Sequence, residues 1–208
     1  MYQPSHFRED RLEVMQDLIA SHPLATLVSY GSDGLAANHV PLVLHADLSE
    51  NGTLRGHIAR ANSLHKDLEP SVEALAVFQG PHHYVTPSWY PSKKEHAKVV
   101  PTWNYAVVHA FGPLKFIDDA DWLLQQVTSL TLEHEAGRDP QWQVDDAPAD
   151  FIDKMLQSII GIELPISRLE GKWKASQNRP EKDKEGVIQG LENEATDIAR
   201  QMAKLIPS

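Results

Sequence analysis

The chain has 208 residues, 41% hydrophobic and 23% charged, a composition typical of a globular protein. Its formal net charge of −10 disfavours direct DNA binding unless a local basic patch is present. The absence of cysteine excludes disulfides, thiolate metal sites and a thiol nucleophile. No apolar run approaches the about 20 residues of a membrane span, and the N-terminus lacks the apolar stretch of a signal peptide, so we expect a cytoplasmic protein without membrane contact.

The first half of the chain predicts one helix followed by hairpins. Apolar residues in Arg8–Ala20 have helical spacing, and Pro23 follows them. Alternating patterns with Gly-rich turns between them predict the strands "LATLVSY", "LAANHVPLVL" and "TLRGHIA". A short helix, "NSLHKDLEP", a strand, "VEALAVFQG", and a Pro-rich loop at 81–103 follow.

The second half predicts mostly helices. The segment "NYAVVHAFGPLKFI" predicts one or two further strands, and a helix opens with the acidic "DDAD" after it. A second helix, "APADFIDKMLQSIIG", ends at Gly161, a late strand follows, and Leu191–Ile206 forms a last amphipathic helix. Six or seven strands that precede most of the helices predict an α+β fold, an antiparallel barrel with peripheral helices. We expect a single domain over residues 1–208 with a C-terminal helix at about 188–208.

The segment "GHIARANSLH" changes from a strand pattern to a helix pattern. The free N–H groups at a helix N-terminus favour an anion. Arg60 adds a guanidinium that can bind phosphate through two N–H groups, and Asn62 or Ser63 can cap the helix. The segment therefore predicts a phosphate site, with a plain helix cap beside a surface arginine as an alternative of equal weight.

Two further segments carry dense polar groups. "KWKASQNR" at 172–179 offers three cations with a Ser, a Gln and an Asn, which suit a phosphate or a polar ring; a solvated loop is the alternative. Asn38 and His39 interrupt an apolar strand that Pro41 confines to an edge or a bulge. They face a ligand or a partner subunit, or else simply solvent.

Most catalytic signatures are missing from the sequence. The eleven histidines show no metal-ligand spacing, so we expect no metal site. There is no G-x-S-x-G, Walker A or G-x-G-x-x-G motif.

An aromatic group within 84–105 (Tyr84, Trp89, Tyr90, Trp103 and Tyr105) is either core or interface, or the floor under a flat cofactor.

Six ordered motifs resemble one known family. They are "MYQPSHF", "NHVPLVL", "LRGHIARAN", "FQGPHHYVTPSWY", "VPTWNYAVVHAFG" and "KASQNR". Together they resemble the PaiB family, whose members are described as FMN-binding negative transcriptional regulators, from Met1 to about Val187. The resemblance implies an FMN-binding split β-barrel that forms a homodimer, with the flavin in a groove between the two barrels.

The resemblance also implies where the phosphate binds. The corner from His57 to Asn62 receives it, with Arg60 as the charged partner. Here the sequence departs from the family pattern, because Ser63 and His65 stand where a proline and a tryptophan are usual. We expect the loss of the tryptophan to loosen the packing of the flavin ring or to alter partners.

Five other residues complete the implied cofactor site. Asn38 and His39 lie near the flavin ring. The segment "KASQNR" closes the site with Lys174, Gln177 and Arg179, and in a homodimer this segment can belong to the second subunit. A cation near the ring favours the reduced flavin, and Lys174 is the candidate for it. No residue stands out as a general acid or base, although His39 or His57 can serve.

Two functions remain open for an FMN protein of this type. The first is a negative transcriptional regulator that acts indirectly, since the sequence shows no helix-turn-helix and no basic recognition helix. The second is an FMN-dependent oxidoreductase, resembling flavin reductases or pyridoxamine-phosphate oxidases, with a nicotinamide or another small donor. A split barrel that binds haem is a third possibility. The histidines can supply the axial ligand that haem needs, but no spacing in the sequence indicates which one.

Overall fold

A computed structural model describes residues 1–207 as an α+β protein built on antiparallel strands. The strands are β1 (Arg8–Glu9), β2 (Leu24–Gly31), β3 (Gly34–Pro41), β4 (Val43–His45), β5 (Thr53–Ala59), β6 (Ala74–Val85), β7 (Thr102–Gly112), β8 (Lys115–Ile117), β9 (Ile159–Pro165) and β10 (Arg168–Lys174). The helices are α1 (Leu12–Ser21), α2 (Leu64–Asp67), α3 (Ser92–His96), α4 (Ala120–Glu135), α5 (Ala149–Gln157), α6 (Glu181–Asn193) and α7 (Asp197–Lys204). No helix within these residues is long and apolar enough to cross a bilayer.

The chain divides into two compact units, and strands β6, β7 and β10 pass from one into the other. The terminal unit contains Met1–Leu18, Gln79–Val108 and the residues from Glu170 onward. The central unit contains Ile19–Phe78 and His109–Leu169. The single domain expected over residues 1–208 stays a prediction.

The central unit contains two runs of paired strands. One follows the order β6-β2-β3, and the other follows β4-β5-β9-β8. The β2–β3 hairpin pairs Gly31 with Gly34 across the predicted "GSDG" turn, where Gly34 has a φ of +95° that favours glycine. β3 is an edge strand, as Pro41 predicts. Helix α4 packs on β5 and β9 and begins at Asp119, whose carboxylate accepts from the Trp122 backbone N–H at 2.7 Å.

The terminal unit is built on strands in the order β1-β10-β7-β6, with the C-terminal helices as a second layer of its core. α6 and α7 supply Val187, Leu191 and Met202, all fully buried, to a cluster that also contains Val85 and Tyr90. This burial gives the C-terminal helices a structural role, since apolar area removed from water is the main stabilising contribution.

Several element predictions are wrong in detail. The C-terminal residues form two helices and not one, because Ala195 has a φ of +55° and Thr196 caps α7 by accepting from the Ala199 N–H. The helix predicted to end at Gly161 stops at Gln157, since the following Ile pair begins strand β9. Strand β6 continues into the predicted loop as far as Val85, and α1 begins four residues later than predicted. Within residues 1–207, eight strands, β1 to β8, precede helix α4, where six or seven were predicted before most of the helices.

Candidate functional site

Two predicted site residues in the central unit contact each other. Asn62 Nδ2 donates to Asn38 Oδ1 at 2.8 Å, and Asn62 Oδ1 accepts from the Leu64 backbone N–H at 3.0 Å. Both asparagines line a shallow cavity of about 250 Å³ that the β2–β3 hairpin and α2 form. His39 is exposed and, as the next residue of β3, faces the other side of the strand. The structure thus brings Asn38 and Asn62 together and leaves His39 apart from them.

Arg60 is fixed by contacts within the central unit. Its Nη1 and Nη2 donate to the two carboxylate oxygens of Asp118 at 2.7 and 2.6 Å. Its Nε donates to the Gln157 carbonyl at 2.8 Å, and Nη2 also donates to the Ile159 carbonyl at 2.9 Å. The guanidinium hydrogen bonds hold the pKa of the Asp118 carboxyl below its usual range. A phosphate at Arg60 therefore has to displace a paired carboxylate.

The backbone amides expected at this corner also have partners. The Arg60 backbone N–H donates to the Ser158 carbonyl at 2.8 Å, and the Asn62 backbone N–H donates to the Ala59 carbonyl at 2.9 Å. Helix α2, which follows the corner, is a single turn. Ser63 makes no side-chain cap hydrogen bond; the cap is Asn62. The corner therefore offers fewer free donors than the sequence predicts.

His57 has a buried partner that sequence reasoning missed. Its Nδ1 lies 2.8 Å from Oε1 of Gln126, an α4 side chain that is only 4% exposed. Because an amide oxygen only accepts, this contact places the proton of a neutral imidazole on Nδ1 and leaves Nε2 as an acceptor. Gln126 Nε2 has no hydrogen-bond partner within the described residues. The one sequence signal for this contact is that Gln126 lies three residues after Leu123, which places the two side chains on the same face of the helix.

Three cations of the predicted "KWKASQNR" segment lie in the terminal unit. Lys172 and Lys174 are two residues apart on β10 and therefore on the same face, and Arg179 is in the loop after it. Lys172 is buried, and its Nζ donates to the Tyr2 carbonyl at 3.0 Å and lies 5.4 Å from the centre of the Tyr105 ring. We call Lys172, Lys174 and Arg179 the cation cluster.

The cation cluster has no counter-charge of its own. None of its three residues forms an ion pair within residues 1–207, whereas Arg60 and Arg55 both do. The Lys174 ammonium donates to Thr102 Oγ1 and to the Trp103 carbonyl, which are neutral acceptors. Burial, with the nearby charges of Lys172 and Arg179, lowers the pKa of Lys174 from its ordinary value. An anion bound there would relieve this repulsion.

The loop after β10 is held by its own side chains. Gln177 Oε1 accepts from the Ala175 backbone N–H at 2.8 Å, and Gln177 Nε2 donates to the Trp173 carbonyl at 2.5 Å. Buried Ser176, at a φ of +61°, accepts from Asn104 Nδ2 at 2.9 Å. The Gln177 amide thus shapes the loop that carries the cation cluster.

An exposed aromatic surface lies in the same unit as the cation cluster. Trp103 and Tyr84 are 54% and 43% exposed, and their ring centres are 5.9 Å apart. His82 lies 6.4 Å from Trp103, with the two rings tilted by 33°. Exposed aromatic faces of this kind can stack on a flat ring, and the cation cluster can hold an anion. The donor set fits a flavin mononucleotide, which combines a phosphate with a flat ring.

The antiparallel α+β fold is a split β-barrel of the kind found in flavin-binding proteins. Over 80% of its length the chain is similar in structure to the flavocytochrome Anf3 from Azotobacter vinelandii, with a TM-score of 0.60, 12% identity and 69% of that chain covered. It is also similar to an FAD and haem binding protein from Mycobacterium smegmatis, with a TM-score of 0.59, 17% identity, and 88% of this chain and 80% of that chain covered. Both likenesses confirm the predicted fold class.

Sequence comparison gives the family. Residues 1–168 match the family described as "Putative FMN-binding domain". An uncharacterised protein of Emericella nidulans is 35% identical, and the "Protease synthase and sporulation protein PAI 2" of Bacillus subtilis is 30% identical; each alignment covers 99% of this chain and 96% of the relative. The chain belongs to this family, the PaiB family, and its cofactor is FMN.

Proposed function

We propose that this chain regulates gene expression indirectly, through the redox state of its flavin or through a metabolite, without binding an operator. The charge distribution carries this proposal. Residues 118–158 contain ten acidic and two basic residues, a formal charge of −8 out of the −10 of the whole chain. Such a surface repels DNA. The printed name of the Bacillus relative, which refers to protease synthesis and sporulation, is consistent with a regulatory role.

The phosphate of FMN is assigned in this proposal to the cation cluster. Lys172, Lys174 and Arg179 supply charge that no carboxylate of the described residues matches, whereas Arg60 is already paired with Asp118. Gln177 then acts by shaping the loop and not by direct contact. FMN supplies the electron chemistry when it is bound; the protein binds it and tunes it.

The central-unit residues of the predicted site have other roles in the proposal. Asn38 and Asn62 form a polar pair that can contact the edge of a ligand. Nε2 of His57 can accept a proton, because Nδ1 of the same ring faces Gln126. Exposed His39 is a second candidate acid or base.

We also infer a homodimer. Edge strand β3 has Leu35, which is 79% exposed, and the neighbouring strand β2 exposes 62% of Leu24 and 46% of Tyr30. An exposed apolar edge strand is a template for pairing with another chain, and closed pairing by a second copy removes that hazard. These residues support a dimer interface that includes β3.

The alternative function is an FMN-dependent oxidoreductase that uses a nicotinamide or another small donor. It is favoured by one observation: the half-buried Lys174 ammonium lies beside an exposed aromatic surface and has no counter-charge within residues 1–207. In this alternative, Lys174 faces the flavin ring and not the phosphate. A cation beside a flavin favours its reduced form, which helps a reaction in which a donor reduces the ring.

One set of measurements separates the two functions. The visible spectrum of the purified protein reports bound flavin, and anaerobic addition of NADH or NADPH reports reduction as bleaching of the flavin band. Rapid bleaching with turnover supports the oxidoreductase. Slow bleaching without turnover, together with absence of binding to promoter DNA at low salt, supports indirect regulation. Tight, salt-dependent DNA binding by the purified chain would refute the indirect mechanism.

A further inference from the structure

An open groove lies between α4 and α5 in the central unit, and none of the residues proposed for FMN lines it. Its volume is about 580 Å³. One wall is α4, and the other is the turn at 143–147 with the first half of α5. We call it the α4–α5 groove; its lining residues include Leu124, Leu132, Val144, Ile152, Asp145 and Asp153.

Helix α4 has two separate apolar stripes. One stripe, with Leu123 and Gln126 buried, faces the sheet. The other consists of Leu124, Thr128, Thr131 and Leu132, at spacings of four, seven and eight residues, and lines the groove. Leu124 is 40% exposed and Leu132 is 52% exposed. The second stripe faces α5 and the turn at 143–147, but these elements leave Leu124 and Leu132 partly exposed. An exposed apolar surface of this kind marks a place where another molecule binds.

Charge at the groove defines the chemistry of that molecule. Asp145 and Asp153 lie in the lining itself, and the segment 118–158 around it carries −8. Arg138 and Lys154 are its only basic residues, and each already pairs with a carboxylate of the same segment. The complementary partner is therefore cationic along its edges and apolar on the face that enters the groove.

The dimensions of the groove suit a helix. The α4 wall runs from Leu124 to Leu132, about 12 Å at 1.5 Å per residue. That length matches two turns of a bound helix, which would present apolar side chains at spacings of three, four and seven residues. We propose that the α4–α5 groove binds a basic amphipathic helix of a partner protein, with apolar anchors against Leu124 and Leu132 and Lys or Arg side chains beside Asp145 and Asp153.

The test uses the full chain with its flavin and a fluorescein-labelled synthetic peptide of about 18 residues, long enough to form a helix, with Leu on one face and Lys on the other. Fluorescence anisotropy measures binding. Asp145→Asn with Asp153→Asn should weaken binding roughly tenfold at low salt and much less at high salt. Leu124→Asn with Leu132→Asn should abolish binding at both salt concentrations.

Matched controls make the result specific. Asp47→Asn with Glu50→Gln removes the same two charges from exposed positions between β4 and β5, outside the groove, and should leave affinity within about twofold. A peptide of the same composition with its Leu residues dispersed around the helix should not bind.

Three outcomes would overturn the proposal. One is equal binding of the dispersed peptide, and another is equal loss in the groove and control charge variants. The third is a change of oligomeric state in the Leu124→Asn, Leu132→Asn variant, since it would make a second copy of this chain the occupant.

Discussion

Replacing Lys174 by methionine tests the assignment of the FMN phosphate most directly. The change removes the ammonium but keeps an unbranched side chain of similar length. Lys172 contacts the Tyr2 carbonyl and Arg179 lies over the Tyr90 ring, so neither depends on Lys174 for its position. A lost charged hydrogen bond costs about 1.5–3 kcal/mol. Because the ammonium is partly solvated, the lower end applies, and we expect the dissociation constant of FMN to rise about tenfold.

Quenching of flavin fluorescence on titration with protein measures this affinity. Riboflavin, which has no phosphate, is the comparison ligand, and its affinity should change by less than about twofold. Lys94→Met, at an exposed position on α3 of the same unit, is the matched control and should bind FMN like the unaltered protein. The reasoning is refuted if Lys174→Met keeps full FMN affinity while Arg60→Met loses it, since that result puts the phosphate at the corner after β5.

The pH dependence gives the same test a second readout. The pKa of Lys174 is lowered, chiefly by burial, so its positive form is lost at a lower pH than for an ordinary lysine. Only that form attracts phosphate, so FMN affinity should fall as pH rises through this lowered pKa. The alkaline loss should be absent in Lys174→Met.

Three further predictions concern stability and assembly. Ser92→Ala should lower the free energy of unfolding by about 1–3 kcal/mol in urea titrations, because buried Asp183 loses the hydroxyl that donates to it at 2.7 Å. Gly112→Ala should cost at least about 1–3 kcal/mol, since a Cβ there would lie 2.1 Å from the Pro165 carbonyl oxygen; a melting temperature equal to that of the unaltered protein would contradict this. Leu35→Lys should yield monomers in sedimentation velocity, and an unchanged dimer would place the interface elsewhere.

The sequence predicted those helices and strands whose apolar pattern or cap residue lies within the element itself. Strand β5 (Thr53–Ala59) has the predicted bounds because its alternation is unbroken, and α4 begins at the predicted acidic cap. The break at Ala195 escaped prediction because non-glycine residues seldom adopt a positive φ, although Thr196 was a readable cap signal.

The candidate site was predictable only where its residues are close in sequence. Lys174 and Arg179 belong to one short segment, so their spacing was enough to identify a cation cluster. Arg60 and Asp118 are 58 residues apart, and nothing local indicates that β5 and the start of α4 bring them together. Sequence reasoning therefore counted Arg60 as a free cation, when its charge is matched within the fold.

The core of the terminal unit has a practical consequence for where this protein can be cut. The family match ends at residue 168, yet seven of the nine buried residues in that core lie beyond it, on α6, α7 and the adjoining segments. A fragment that stops at the end of the match would leave Val85 and Tyr90 facing water. The segment that matches the family is thus shorter than the segment that can fold, and expression vectors should retain both final helices.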